Sequence, residues 1–198
     1  EIISKNFDEL DTKFFQSDVV EINLLKEFEH NYILLVNGTL NSSNFDFEEK
    51  EKIKINAYHN SDIYQTTENP LVCLNHALAE NGYSLEVEKN YKFKKNLVIY
   101  NYFTKDLKNK ILNNKNSIKI NENAEVHIIE YTINESTFKF ISNIYESIFL
   151  YKNAKLKSLC IQNNKSNGFF HKHLKCDLLY NSDLSNLIFS SGLKFNKI

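Results

Sequence analysis

At 198 residues, with 42% hydrophobic and 25% charged side chains, the chain is long enough to bury roughly 70% of its unfolded surface in a globular core. No apolar run approaches the roughly 20 residues needed to cross a bilayer. A balance of 24 lysines against 25 acidic residues, without arginine, offers neither the positive field nor the guanidinium forks that hold nucleic acid. Membrane spans and nucleic-acid partners are therefore not expected. Met and Trp are absent and Asn, Lys, Ile, Phe and Tyr abound, as in an AT-rich coding sequence, so Asn and Lys counts carry little functional meaning. Cys73, Cys160 and Cys176 form no Cys-x-x-Cys and no even-numbered framework, which fits a reducing compartment.

In chain order, the first 30 residues space Phe7, Leu10, Phe14, Phe15, Val19, Ile22, Leu25 and Phe28 at intervals that predict short amphipathic helices. Tyr32-Ile-Leu-Leu-Val36 predicts a strand running into an Asn37-Gly38 turn, and residues 52–58 predict a second. Asn69 as N-cap, Pro70 at the first helical position and Gly82 beyond the end predict a helix over 70–80 with a Leu71, Leu74, Leu78 stripe. From Tyr83 the pattern turns to β, with strands at 83–87, around Tyr91 and at 97–103. That change divides the chain into a helical or mixed N-terminal domain, 1–82, and a β domain, 83–198. Residues 105–116 are polar and read as a loop.

The β domain repeats itself. Asn123-Ala-Glu-Val, Asn153-Ala-Lys-Leu and Asn181-Ser-Asp-Leu start 30 and 28 residues apart, and the regions 138–151 and 169–180 supply a second strand to each unit. A repeat of that length made of β-formers predicts a solenoid, each coil burying its apolar face on the next. Counting Asn as zero, apolar columns fall at three (Val126, Leu156, Leu184), six (Ile129, Leu159, Leu187) and eight (Tyr131, Ile161, Phe189). Alternation cannot turn three and six inward together, so a bend between them is expected, with Asn123, Asn153 and Asn181 as positive-φ corner residues.

Candidate chemistry is sparse. His171, His173 and Cys176 could suit zinc or iron, but strand parity sets Cys176 with Leu174 and Leu178, over Ile148. That favours a buried structural thiol with two outward or edge histidines. Cys73 and His76 share one side of the predicted helix and could form a thiol–imidazole pair, although no third orienting group is evident. Cys160 falls at repeat position seven and is expected to point outward. No Gly-rich phosphate loop, His-Glu-x-x-His or Gly-x-Ser-x-Gly occurs.

The order of Ile33-Leu-Leu-Val-Asn-Gly38, Leu74-Asn-His-Ala-Leu78 within 69–82, Tyr83-Ser-Leu-Glu-Val-Glu-Lys-Asn90, Asn123-Ala-Glu-Val through Glu130-Tyr131, Glu146-Ser-Ile-Phe-Leu-Tyr-Lys-Asn-Ala-Lys-Leu156 and Ser190-Ser-Gly-Leu193 resembles the SufB/SufD family of iron–sulfur cluster assembly proteins, more closely SufD. The resemblance runs from about Tyr32 onward. It implies a mainly β protein, a right-handed parallel β-helix behind a small helical or mixed domain. It further implies a cytoplasmic, non-catalytic scaffold subunit partnered by SufB-like and SufC-like proteins, with SufC as the ATPase and an iron–sulfur cluster present transiently in the assembled complex.

Asn replaces the family's corner glycines. The chain begins at Glu1 and has few coils, which on this resemblance reads as an N-terminal portion. The later coils and the helical tail that would carry partner contacts have no counterpart, so no catalytic, cofactor-binding or metal residue is carried over. The rival expectation is a β-helix enzyme or binding module for polysaccharide, which needs clustered outer carboxylates; the column Glu125, Lys155, Asp183 alternates in charge instead. The last coil, 181–198, is expected to leave an unpaired strand edge and to fray or self-associate.

Overall fold

The computed structural model describes residues 24–58, 68–135, 138–163, 168–192 and 195–198. Most of the helical spacing predicted near the N-terminus lies outside them, while Leu25 and Phe28 sit in irregular backbone. Strand β1 (Asn31–Val36) runs into the expected turn, with Asn37 and Gly38 at φ 47° and 79°, and β2 (Thr39–Asn44) pairs back on it antiparallel. β2 is polar and carries no strand signal in the sequence; it pairs as the edge of its sheet. After β3 (Ile53–Ala57), helix α1 (Pro70–Leu78) begins as predicted, the Asn69 side chain accepting the Leu71 N–H at 3.1 Å.

The helix stops at Ala79, which is already extended. Its buried side is Leu71, Val72, Asn75 and His76, whereas Leu74 and Leu78 are half-buried. The expected leucine stripe is thus rotated. The cause is a polar seam, in which Asn75 Nδ2 donates to the Asn114 and Asn143 carbonyls at 2.8 and 2.9 Å and Asn143 Nδ2 donates to the Leu71 carbonyl at 2.9 Å.

Then come β4 (Tyr83–Val87), β5 (Leu97–Phe103), β6 (Ile111–Ile120), β7 (Glu125–Asn134), β8 (Ile141–Leu150), β9 (Lys155–Asn163), β10 (Phe169–Leu178), β11 (Asp183–Ser191) and β12 (Phe195–Lys197). The strand expected around Tyr91 is reduced to one bridge, Lys92 to Glu125. From β4 on, strands alternate between two six-stranded sheets, ordered β11-β9-β7-β5-β1-β2 and β12-β10-β8-β6-β4-β3. Successive coils pair in parallel, Glu125 beside Lys155 beside Asp183 and Ile118 beside Ile148 beside Cys176, giving a β-solenoid of about three turns. β1 and β3, which precede α1, hydrogen-bond into the same two sheets.

Residues 111–116 are strand, not loop. Asn113, Asn114, Lys115 and Asn116 are all buried. Asn143 Nδ2 donates to Asn113 Oδ1 at 2.8 Å and α1 takes the Asn114 carbonyl, so tertiary partners override the weak strand preference of these side chains.

The corners lie at the asparagines. Asn90, Asn123, Asn153 and Asn181 stand at φ 61°, 58°, 57° and 54°. Each side chain donates to the one before it: Asn181 to Asn153 at 2.8 Å, Asn153 to Asn123 at 2.9 Å, Asn123 to Asn90 at 2.8 Å. This polar ladder rationalises Asn over Gly: glycine supplies the dihedral but not the amide stack. Asn153→Ala should lose both the favourable dihedral and two ladder bonds, about 2–4 kcal/mol, and Asn153→Gly only the bonds, about 1–2 kcal/mol. Urea denaturation of both variants measures the difference.

The bend expected between repeat positions three and six does not exist. β7 runs unbroken, with Val126 and Ile128 in the core between the sheets and Ile129, Tyr131 and Ile133 packed outside with Leu34, Val36, Val98 and Tyr100. The outer face of this sheet is apolar as well, and Leu24 and Leu25 pack there, the Leu25 N–H donating to the Tyr100 hydroxyl at 3.1 Å. Columns six and eight are therefore outer columns.

Candidate functional site

Alternation that points Val126 and Ile128 inward also points Glu130 inward, although glutamate is a costly residue to bury. From β8 the same rule brings Glu146, and from β10 it brings Lys172. Glu130, Glu146 and Lys172 are 7%, 2% and 4% exposed, and the Lys172 ammonium lies 2.6 Å from Glu130 Oε1 and 2.9 Å from Glu146 Oε1. Three strands of two sheets thus meet at one cation inside the solenoid. Burial disfavours charge on Lys172, but Glu130 and then Glu146 outweigh it, and its pKa stays above the usual lysine value. Glu146 is pushed up from the ordinary carboxylate range, chiefly by burial, against the pull of Lys172.

Cys160 belongs to this cluster. It is 3% exposed on β9, beside Glu130 in the parallel register, and so points inward, contrary to the sequence expectation. The expected orientation failed because position seven follows the inward parity of position three along an unbent strand. Burial and then the Glu130 charge push its thiol up to about 12. At neutral pH it is a protonated thiol, a poor nucleophile and a poor metal ligand.

Cys176 does sit beside Ile148, but it is exposed instead of buried: among the described residues no strand stacks over this part of β10, since β12 pairs only with Phe169 to His171. His171 is buried rather than outward. It lies on the face of the sheet that α1 covers, with Nδ1 2.8 Å from Asn143 Oδ1. Because the Asn143 amide nitrogen donates to Leu71 and Asn113, its oxygen is the acceptor and His171 Nδ1 carries the hydrogen. His173 stacks on Tyr145 at 5.5 Å, and His76 packs on the same ring at 4.7 Å. Cys73 is exposed on α1 and His76 is buried. Among the described residues no three His, Cys, Asp or Glu side chains converge as a metal-binding group.

These histidines make the helix–sheet seam acid-sensitive. Burial, then Lys197 and His173, lower His171 to about 4; burial, Lys115 and His173 lower His76. A histidine depressed in the fold contributes stability above its unfolded pKa near 6.5, and that contribution is lost as pH falls. Between pH 6.5 and 4 the chain should lose roughly 2 kcal/mol through His171, after allowance for screening near the sheet edge. Urea midpoints across that range should drop in the native chain and drop less in His171→Gln.

On the outside, a concavity of about 290 Å³ is lined by Lys92, Phe93, Lys94, Lys95, Glu125 and His127 among others. Its lysines already face carboxylates, with Lys95 2.8 Å from Glu29 and Lys92 3.9 Å from Glu125. Behind it the buried Glu48 carboxylate accepts from the Tyr91 hydroxyl and the Lys94 and Lys95 amides, which fixes the loop entering β5. The outer column Glu125, Lys155, Asp183 is in register and alternates in charge as expected. No helix is long and apolar enough to cross a membrane among the described residues.

Sequence reasoning missed the interior cluster. The available signal was Glu130 and Lys172 at the parity of core residues, visible once the strand is taken as unbent. No protein-family model matches this sequence, and no curated protein matches it.

Proposed function

We propose that the chain is a SufD-like scaffold subunit of the iron–sulfur cluster assembly machinery, acting through SufB-like and SufC-like partners in the cytoplasm. The observation that carries this reading is the solenoid itself, with a positive-φ asparagine at the same corner of each coil, where the resemblance has glycines. On this reading the coil is right-handed and the protein is not an enzyme. Its buried charged groups Glu130, Glu146 and Lys172 are locked together in the interior, and Cys160 is held as a thiol. The cluster is cargo of the whole complex, and no residue of this chain is assigned to it.

The test is co-expression with the SufB-like and SufC-like proteins of the same genome, followed by affinity purification of this subunit. Stoichiometric recovery of both partners is the expected result. Failure of the full-length protein to retain either one would remove the scaffold reading, and lyase activity on an acidic polysaccharide panel would replace it with the rival.

A further inference from the structure

We propose that Glu146 is a neutral carboxylic acid at neutral pH, its proton shared with the Asn116 side-chain oxygen, so that one carboxylate balances one ammonium and β10 is latched onto the coils beside it. The first ground is charge. Two carboxylates and one ammonium within 3 Å contacts, each 2–7% exposed, would leave a net negative charge in a medium that solvates it poorly. One proton removes that excess.

The second ground is hydrogen bonding. Glu146 Oε2 and Asn116 Oδ1 are both buried without a partner, and the two residues are in-register neighbours on β8 and β6. As placed, the Asn116 amide donates to the Glu146 carboxylate, and both oxygens are left unsatisfied. A proton on Oε2 turns one of them into a donor, and an amide flip of Asn116 presents the oxygen to it. The Tyr83 hydroxyl, also buried without a partner, belongs to the neighbouring strand β4, which pairs with β6.

The third ground is the choice between the carboxylates. Glu130 makes the shorter contact to Lys172 and is the more exposed, whereas Glu146 is the deeper and keeps an oxygen unsatisfied, so the proton belongs to Glu146. The other titratable groups facing it are Tyr83 from β4, Glu130 from β7, Cys160 from β9, and Lys172 and Cys176 from β10. Burial raises Tyr83, Cys160 and Cys176, and Lys172 is raised too, so these groups are protonated at neutral pH.

As pH rises, the Glu146 proton passes to hydroxide and the cluster becomes net negative. A carboxyl raised in the fold contributes stability below its unfolded pKa, and that contribution declines as pH climbs through the folded value. Lys172 carries β10 into the cluster, so β10 should loosen first.

The experiment follows the side-chain carboxyl ¹³C resonances of the full chain, assigned through bonds, from pH 4 to 10, together with β10 amide exchange corrected for intrinsic rates. The Glu146 carboxyl should hold its protonated position at pH 7, and β10 exchange should accelerate about tenfold as it titrates. Glu146→Gln, an isostere of the neutral acid, should abolish the acceleration. Glu130→Gln should lower the pH at which Glu146 titrates, because Glu146 is then the carboxylate left to balance Lys172. An ionised Glu146 at pH 7, or unchanged alkaline loosening in Glu146→Gln, overturns the proposal. If either variant fails to fold, the titration of the native chain decides alone.

Discussion

Lys172→Met should destabilise the protein by about 3–5 kcal/mol, because it leaves the buried Glu130 carboxylate without its cation. The ammonium is 2.6 and 2.9 Å from two oxygens that have little access to water, whereas a methionine of similar length fills the volume without compensating charge. The loss belongs to the stranded carboxylate more than to the deleted contact, which a second substitution separates. Glu130→Gln with Lys172→Met removes cation and anion together and should recover much of the deficit. Urea denaturation of the two single variants and the double one closes the cycle. Additive losses would mean that the cluster is not a unit.

Gly82→Ala ranks beside it, at about 2–5 kcal/mol. Gly82 sits at φ 136°, and a Cβ there would stand 1.9 Å from the Lys115 carbonyl oxygen. That oxygen is backbone of β6 and cannot move without disturbing the β4 and β8 pairings on its two sides. The strain and the clash share one atom, so no rotamer relieves them. Gly38→Ala meets only the Asn114 side chain and has φ 79°, so it should cost less. Thermal melts of both variants test the order, and equal losses would show that the β4–β6 approach is more compliant than this geometry implies.

The difference between those glycines shows how far the sequence could be read. Asn37-Gly38 is a turn dipeptide, and its positive dihedrals are local chemistry. Gly82 looked like a helix terminator, yet α1 ends at Leu78, and the glycine is required by a strand more than 30 residues away. Cys160 and Cys176 make the same point. Parity alone relates each to its neighbours, but whether parity means inside or outside depends on the unbroken course of β7 and β9, and on what stacks above β10.

The sequence by itself determined the repeat, the corner asparagines, the helix start and the in-register columns. Each rests on dihedral preference or strand parity, which act over a few residues. The tertiary structure decided which columns face the core, why 111–116 can be a strand, and that Glu130, Glu146 and Lys172 meet. Both faces of the sheet holding β7 are apolar, so hydrophobicity could not name the inner one. A buried lysine becomes tolerable only when both strands of the preceding coil supply its carboxylates.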